Sequence, residues 1–372
     1  MKIDSDFSTE KQCIVIDIGT KYTKFGFATE HSPRCIIQTQ SEIDGMIVTD
    51  FYNCIDQQKL TLALTKFIHR LFYKHALIAP KEKKVIIVES LLSPTKFKET
   101  LAKILFINYE IASLCFVPSH CVALFTLGIS TALVLDIGYK ETILIPVCEG
   151  VPVLKLWQAM PLAGESVEKQ IKNQINVNEL TAEKSTNDII EDIKVRSCFV
   201  TKLNRSKNLV EGKDVNPLTT DASYHINGEI SITIPGRVRE TAYDILFEEN
   251  IDEMSITTMI LETIKNSNVD MRLKLAENIF LIGGTTIAKG FKARLKEELQ
   301  EKVNSSKYQN LKISKFKFHI APVYENYVAW LGGSIFGSTN NLNILSQTRE
   351  NFLKENFIPD WPTTHTRPKV EQ

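Results

Sequence analysis

The sequence predicts an α/β protein of two lobes, built on a duplicated plan with a cleft between the lobes. Segments rich in β-branched residues alternate with segments of helical periodicity, which is typical of α/β folds. Two of the β-type segments end in the same Asp-Ile-Gly tripeptide, with Asp17 and Gly19 in the first copy and Asp136 and Gly138 in the second. Two further strand-type segments follow each tripeptide. This repetition indicates an internal duplication, and we expect the two turns to face each other across the cleft.

The composition is that of an ordinary globular protein. The chain has 372 residues, of which 43% are hydrophobic and 24% are charged, so it is long enough for two packed lobes. Lysine plus arginine equals aspartate plus glutamate at 44 each, which argues against a general nucleic-acid binder. No apolar run is long enough for a membrane span, and no signal-peptide pattern is present. Seven cysteines without a Cys-X-X-Cys pair favour a reducing compartment, and we expect a cytoplasmic protein.

The first half of the chain predicts a three-stranded unit followed by alternating helix and strand. Its strand-type segments are residues 13–19, 22–29, 35–39 and 84–89. Apolar residues recur at helical spacing before the last of these strands, at Leu60, Leu64, Phe67, Ile68 and Leu71. Another helix is expected to begin at Pro94, because proline is tolerated in the first turn of a helix.

The second half follows the same plan. Its first unit consists of strand-type segments at residues 132–138, 141–147 and 151–157. Apolar residues at helical spacing predict helices at residues 187–200, 257–264 and 289–303. The polar stretch 203–223 is predicted to be a loop. Asn227 and Gly228 lie between two alternating segments and predict a β-hairpin.

The two Asp-Ile-Gly turns are the strongest functional signal. Glycine lets backbone amides approach a phosphate without a Cβ in the way, and amides that follow a strand form an anion-binding nest. A nearby carboxylate can hold a hydrated Mg²⁺ that bridges phosphate oxygens. We therefore expect Asp17, Gly19, Asp136 and Gly138 to contact nucleotide phosphates, with Asp17 and Asp136 on the metal side. The alternative is a pair of purely structural turns.

A third glycine motif follows the strand-type segment 278–282. Gly283, Gly284 and Thr285 come directly after this segment. Two glycines at the carboxyl end of a strand let a flat base or a ribose lie on bare backbone. We therefore expect this motif to contact adenosine. A Gly-Gly pair also occurs in the helical segment 330–334, where close helix packing is the simpler interpretation.

The order of the three motifs resembles the phosphate and adenosine pattern of the superfamily of actin, the Hsp70 chaperones and the sugar kinases. Within this superfamily the chain is most similar to actin, over nearly its whole length. The segments with this resemblance are residues 24–28, Pro33-Arg34, 280–290 and 321–333. The amino-acid sequence of residues 33–37, 329–337 and 358–361 is most similar to that of the divergent actin-related proteins at the pointed end of dynactin.

The resemblance implies an actin-like fold with a central nucleotide cleft. The implied lobes are residues 1–126 with 328–372 for the small lobe, and residues 127–327 for the large lobe. The upper part of the large lobe would lie at about 166–251. The upper part of the small lobe, about 35–55, is expected to be reduced, because only a short stretch separates Arg34 from the helix near Asp56.

The resemblance also implies bound ATP or ADP with Mg²⁺. Thr20 lies in the first phosphate loop, Lys24 matches the phosphate-contacting lysine of the family, and Lys194 matches its adenine-side lysine. Several positions differ from actin: Lys21, Tyr139 and Lys140 in the phosphate loops, and Val195, Ala288 and Asn326 near the base. Nucleotide binding is expected, without the tight adenine selectivity of actin.

Two further departures concern hydrolysis. Phe125 and Ile143 stand where actin has the glutamine and the histidine that handle the attacking water. An aromatic and an aliphatic side chain can neither orient nor deprotonate water. We therefore expect hydrolysis to be very slow or absent.

The shortened small lobe points to a role in assembly. In actin, an insertion after the Pro-Arg segment ends in a loop that docks under the next subunit, and this chain lacks most of it. Each subunit of a head-to-tail filament offers two unlike faces, so a subunit without one of them ends the filament. We predict a non-enzymatic cap at the pointed end of the dynactin minifilament that does not polymerise by itself.

The expected partners are the actin-like filament subunits of dynactin and its other pointed-end subunits, with dynein and cargo adaptors as indirect partners. Neither nucleic acid nor membrane insertion is expected, and the expected location is the cytoplasm and the cytoskeleton. Two alternatives stay open: a nuclear actin-related protein of a chromatin-remodelling complex, and an ATP-dependent phosphotransferase or chaperone of the same superfamily.

Two remaining features have structural interpretations. Cys115, His120 and Cys121 cluster in the sequence without a second pair of zinc ligands, so we expect them to pack in the core. Residues 354–372 include three prolines and are predicted to form an extended tail.

Overall fold

The computed structural model describes residues 13–175, 186–213, 215–226 and 230–359. It divides into two compact units. Unit 1 comprises Met1–Ser130 and Tyr327–Gln372, and unit 2 comprises Thr131–Asn326. Among the described residues, no helix combines the length and the apolar character that a bilayer crossing requires.

The strands alternate with helices along the whole chain. The strands are β1 (Ile14–Ile18), β2 (Tyr22–Phe27), β3 (Cys35–Gln38), β4 (Ser41–Ile43), β5 (Met46–Val48), β6 (Lys84–Glu89), β7 (Ser113–Pro118), β8 (Ala132–Ile137), β9 (Thr142–Cys148), β10 (Val151–Pro152), β11 (Gln158–Met160), β12 (Ala222–Ile226), β13 (Ile230–Ile234), β14 (Ile279–Ile282) and β15 (Gln347–Thr348).

The α-helices are α1 (Gln57–Arg70), α2 (Thr95–Lys103), α3 (Ser119–Ala123), α4 (Gly164–Gln174), α5 (Thr186–Ser197), α6 (Leu203–Val210), α7 (Gly236–Thr241), α8 (Ile256–Asn266), α9 (Val269–Glu277), α10 (Phe291–Lys302), α11 (Val328–Gly337), α12 (Asn341–Leu345) and α13 (Arg349–Glu355). The first two continue as π-helical turns, Leu71–Ala76 and Ile104–Asn108. Short 3₁₀ turns are Leu124–Thr126, Leu154–Leu156, Asp244–Leu246, Gly284–Ile287 and Gln309–Leu311.

The sheet of unit 1 has the strand order β15-β7-β6-β1-β2-β3 in the described part of the chain. Strand β1 pairs antiparallel with β2 and parallel with β6. It is apolar on both faces because both faces are covered. Ile14 and Ile16 pack with residues of α1 and α2, whereas Val15 packs with residues of α11. The helix that we predicted from the spacing of Leu60 to Leu71 is confirmed as α1.

The sheet of unit 2 repeats this plan. Strand β8 pairs antiparallel with β9 and parallel with β14, just as β1 pairs with β2 and β6. The prediction of one strand at 151–157 is wrong. Strand β10 ends at Pro152, a 3₁₀ turn follows, and β11 returns to pair with β9. After Pro152 one more bond joins the chain to β9, from the amide of Val153 to the carbonyl of Pro146 at 2.8 Å.

Two predictions for residues 187–223 need correction. The stretch 203–223 is not a loop throughout, because α6 forms within it. This helix buries only Leu203 and the small polar Ser206, so it shows no apolar periodicity. Helix α5 ends at Ser197, short of the predicted end, where the amide of Phe199 donates to the carbonyl of Arg239.

The predicted hairpin is confirmed, since β12 and β13 pair antiparallel. Its turn residues Asn227 and Gly228 lie outside the described residues. The tail prediction is wrong for Lys354 and Glu355, which end helix α13. Residues 360–372 lie outside the described part.

Helix α11 packs on unit 1 through its glycines, as the Gly-Gly pair predicted. A Cβ on Gly332 would lie 2.0 Å from the carbonyl oxygen of Val122, and one on Gly333 would lie 2.6 Å from a methyl group of Val88. Nearby, the indole nitrogen of the buried Trp330 donates to the carbonyl of Val15 at 3.0 Å. The approach of α11 to the sheet therefore requires bare backbone.

We expect Gly332→Ala to lower the free energy of unfolding by about 3 kcal/mol, at the upper end of overpacking costs, because the opposing atom belongs to the backbone. Urea denaturation followed by circular dichroism measures this loss. The matched control is Gly284→Ala, whose Cβ would lie at an ordinary 3.7 Å from the Cβ of Asn326. Equal losses for the two variants would contradict the packing argument.

Candidate nucleotide site

The first Asp-Ile-Gly turn closes between β1 and β2. The amide of Gly19 donates to the carbonyl of Tyr22 at 3.1 Å. A Cβ on Gly19 would lie 2.7 Å from that same oxygen, so the turn requires glycine. Asp17 lies opposite Lys24 in the strand register, and their carboxylate and ammonium groups are 3.0 Å apart. Thr20, which is half-buried, follows in the turn. Four predicted site residues thus lie together in unit 1.

The second turn has the same backbone geometry. The amide of Gly138 donates to the carbonyl of Glu141, again at 3.1 Å. The position opposite Asp136 is the buried Ile143, where the first turn has Lys24. The second turn therefore keeps the backbone shape of the first and replaces its cation by an apolar side chain. Burial also raises the pKa of the Glu141 carboxyl above its ordinary value.

The glycine motif after β14 lies directly against the second turn. Gly283 has a φ of +95°, and a Cβ there would lie 2.4 Å from the carbonyl oxygen of Ile137 and 2.5 Å from a carboxylate oxygen of Asp136. Two hydrogen bonds meet on the carbonyl of Gly138, one from the Thr285 hydroxyl at 2.7 Å and one from the amide of Gly164 at 3.3 Å. The motif and the turn are therefore one structure within unit 2.

Lys194 reaches the same place from helix α5. A Cβ on Gly164 would lie 3.6 Å from its ammonium nitrogen and 2.9 Å from the Thr285 hydroxyl. Gly284 is exposed beside Asn326. The structure thus brings together the predicted site residues of unit 2: Asp136, Gly138, Lys194, Gly283, Gly284 and Thr285.

The sequence analysis missed Glu168, and it named Tyr139 only as a departure from actin. The ammonium of Lys194 is 2.6 Å from one carboxylate oxygen of Glu168, and the Tyr139 hydroxyl donates to the other at 2.9 Å. Lys194 and Glu168 are both buried. Burial and the neighbouring carboxylate raise the pKa of Tyr139 well above its ordinary range, so its hydroxyl stays a donor.

The counterion of Lys194 is therefore Glu168, whereas the next residue in the chain, Val195, is apolar and 68% exposed. A signal for Glu168 was present in helix α4. Its buried positions are Gly164, Val167, Glu168 and Ile171, which is the spacing of one helical face. A glutamate on a buried face is almost always paired, so that spacing indicates a hidden cation.

The two turns fit phosphate groups and a hydrated cation. In both, glycine leaves the backbone bare beside a carboxylate, and Lys24 adds a positive charge to the first. No group of three or more His, Cys, Asp or Glu side chains that could hold a metal ion occurs in the described ranges. A magnesium ion at Asp17 or Asp136 would therefore take its other ligands from phosphate oxygens and water, as Mg²⁺ commonly does.

The residues at the two water-handling positions have no polar side-chain atom. Phe125 follows α3 in a 3₁₀ turn of unit 1, 42% exposed, and stacks on Phe336 with ring centroids 6.2 Å apart. Ile143 is buried in the sheet of unit 2. Neither residue can accept a proton. Cys115, His120 and Cys121 are all buried, as expected for core residues.

Comparisons of the sequence with known proteins found an actin family model and two actin-like relatives. The family model described as "Actin" matches residues 62–355. The chain is 32% identical to "Actin-related protein 10" of Dictyostelium discoideum, over 94% of this chain and 89% of that protein. It is 26% identical to "Putative actin-29" of the same organism, over 95% of this chain and 97% of that protein.

We expect Lys194→Met to cost about 3–5 kcal/mol of unfolding free energy, because Glu168 would stay buried without its cation. The double variant Lys194→Met/Glu168→Gln should recover most of that loss, since it removes both charges. Tyr139→Phe should cost about 1–3 kcal/mol, because it removes a hydrogen bond to a charged group. Urea denaturation of all three variants measures these differences, and a double variant that is no more stable than Lys194→Met would contradict the pairing of the two charges.

Proposed function

Because this chain belongs to the actin family, we propose that it is a non-enzymatic actin-related subunit that caps the pointed end of the dynactin minifilament. Its partners would be the actin-like filament subunits of dynactin and its other pointed-end subunits. It would support dynein-driven transport indirectly, in the cytoplasm and on the cytoskeleton. The alternatives in chromatin remodelling, phosphotransfer or chaperone action have no observation in their favour.

The short segment between β3 and α1 is the observation on which this proposal rests. In the described structure this segment contains a single small hairpin, β4 and β5. Asp44 and Gly45 form its turn, and both have positive φ values, of 50° and 79°. The resemblance to actin places the filament-docking loop in this region, and the small hairpin leaves little chain for it. A subunit without this loop would lack one of the two faces of a head-to-tail filament.

Unit 2 offers a candidate for the remaining face. Val151 lies in β10, Leu154 in the 3₁₀ turn after it, and Trp157 directly after that turn, and they are 58%, 41% and 44% exposed. Exposed apolar side chains grouped in this way are typical of protein interaction sites. We propose that this apolar turn, residues 151–157, contacts the terminal filament subunit.

We also propose that the two glycine turns hold ATP or ADP with Mg²⁺ as a structural ligand. Bound phosphates and Mg²⁺ would supply charge to the turns. Asp17 and Asp136 would hold the hydrated ion, Lys24 and the turn amides would bind phosphate oxygens, and the backbone after β14 would accept the nucleoside. The apolar Phe125 and Ile143 leave the attacking water without an orienting group, so the ligand would be kept rather than consumed.

The capping proposal predicts one-ended binding. When the purified protein is mixed with the actin-like filament subunit of dynactin, negative-stain electron microscopy should show it at one filament end. Binding along filament sides, or self-polymerisation, would refute the proposal. Trp157→Asp should reduce end binding at least about tenfold, since it puts a charge on an apolar contact. Val269→Asp is the matched control, because Val269 is 72% exposed at the start of α9, where an acidic residue is tolerated.

The nucleotide proposal predicts stabilisation without turnover. MgATP or MgADP at about 100 times its Kd should add about 2.7 kcal/mol to the stability of the folded protein and raise its melting temperature. Phosphate release should fall far below the roughly 1–10³ per second of typical enzymes. Asp17→Asn/Asp136→Asn should abolish the shift, and the exposed Asp252→Asn should keep it. A melting temperature that does not respond to either nucleotide would leave the turns as structure alone.

A further inference from the structure

We propose that unit 2 has a second binding site, a basic pocket that takes an extended acidic peptide segment of a partner protein. The pocket is a cavity of about 680 Å³ beside the start of helix α10. Its lining residues fall into a lysine group and an apolar group. The lysines are Lys289, Lys292, Lys296, Lys315 and Lys317, and the apolar residues include Ile287, Ala288, Phe316 and Phe318.

The charge of the basic pocket is largely uncompensated. Five lysines line it, against one carboxylate, that of Glu325. Lys317 is paired outside the lining with Glu277 at 2.7 Å, and the ammonium of Lys292 donates to the carbonyl of His319 at 3.2 Å.

The other three lysines, Lys289, Lys296 and Lys315, have no ion-pair partner in the part of the chain that the structure describes. They come from three different places: the loop before α10, the helix itself and the extended segment 315–319. Like charges concentrated in this way attract an anionic partner and speed its association.

The floor of the basic pocket is apolar. Phe316 is 1% exposed and Phe318 is half-buried, while Ile287 is 41% exposed. The ammonium of Lys292 lies 5.9 Å from the centre of the Phe318 ring. A simple phosphate would use the lysines and leave the apolar floor unused. A peptide that alternates acidic and apolar residues would use both, and this favours a peptide as the occupant.

The backbone of the segment 315–319 can hold such a peptide in an extended form. The amide of Lys317 donates to the carbonyl of Ala276, and the amide of His319 donates to the carbonyl of Ile279. The amide of the half-buried Phe318, which lies between these two, has no acceptor among the described residues. An extended peptide can accept hydrogen bonds from an open edge of this kind, as in β-strand addition.

The start of helix α10 adds to the positive electrostatic potential of the basic pocket. Its N-cap residue, Gly290, provides no side-chain cap, and its first turn contains no acidic residue. The first amides of a helix lack acceptors within it, and the positive end of the helix dipole lies there. The amide of Phe291 already donates to the carbonyl of Ala288, so the amides of Lys292 and Ala293 remain for the carboxylates of a bound peptide.

Fluorescence anisotropy of the whole chain with the labelled peptide Glu-Glu-Phe-Glu-Asp-Leu-Glu-Glu tests the proposal. Lys289→Glu, Lys296→Glu and Lys315→Glu should each weaken binding at least about tenfold, since each reverses a charge at the contact. The matched control is Lys172→Glu, an exposed lysine on α4 away from the basic pocket, and it should change binding less than about twofold. Melting curves show that each variant is folded. An equal loss in the control would reveal non-specific attraction and overturn the proposal.

Three further measurements separate the occupants. A peptide with serine in place of Phe and Leu should bind at least about tenfold more weakly, because it cannot use the apolar floor. Equal binding of that peptide, or tight binding of inositol hexakisphosphate through the same lysines, would mean that the basic pocket takes polyanions in general. Because Ala288 adjoins the candidate nucleotide site, MgATP is tested as a competitor, and displacement of the peptide would assign the basic pocket to that site. Filament capping is expected to persist in Lys315→Glu.

Discussion

The carbonyl oxygen of Gly138 is the point at which unit 2 is tied together. It accepts hydrogen bonds from the Thr285 hydroxyl and from the amide of Gly164, so it joins the second Asp-Ile-Gly turn to the motif after β14 and to the start of α4. The packing at both places is tight. A Cβ on Gly164 would lie 2.9 Å from the Thr285 hydroxyl, and a Cβ on Gly283, in the motif after β14, would lie 2.4 Å from the carbonyl oxygen of Ile137. The position of Lys194 depends on the same contacts, because α4 provides its counterion, Glu168.

The two turns show how a duplicated backbone can be used for different electrostatics. Both close with the same 3.1 Å hydrogen bond, yet Asp17 faces Lys24 across the ladder and Asp136 faces Ile143. In unit 2 the buried Lys194 is paired with Glu168, which also accepts a hydrogen bond from the Tyr139 hydroxyl. At the two positions that handle water in actin, this chain has Phe125 and Ile143, which have no polar side-chain atom. The proposal of binding without turnover rests on these two residues.

The lysines of unit 2 lie in two kinds of environment, which differ in burial. The buried Lys194 needs a counterion, because an unpaired charge away from water is costly. The exposed lysines of the basic pocket remain hydrated, so they can stay unpaired until a partner binds. The first arrangement contributes to the structure of unit 2, and the second leaves attraction available for a ligand. Both lie near the motif after β14, which is why competition with nucleotide is the decisive control for the peptide proposal.

The sequence by itself determined the α/β class, the repeated order of elements after the two Asp-Ile-Gly turns, and helices such as α1. These features depend on local periodicity and on glycine at tight turns. It also indicated that α11 packs through bare backbone. Only the tertiary structure revealed the partner of Lys194, since Glu168 is distant in the chain and nothing local links the two residues. Only the tertiary structure showed that helix α6 forms inside a polar stretch. Only the tertiary structure showed that a loop, a helix and an extended segment together form the basic pocket. Pairings between distant residues depend on how the elements pack, and periodicity records only which face of an element is buried.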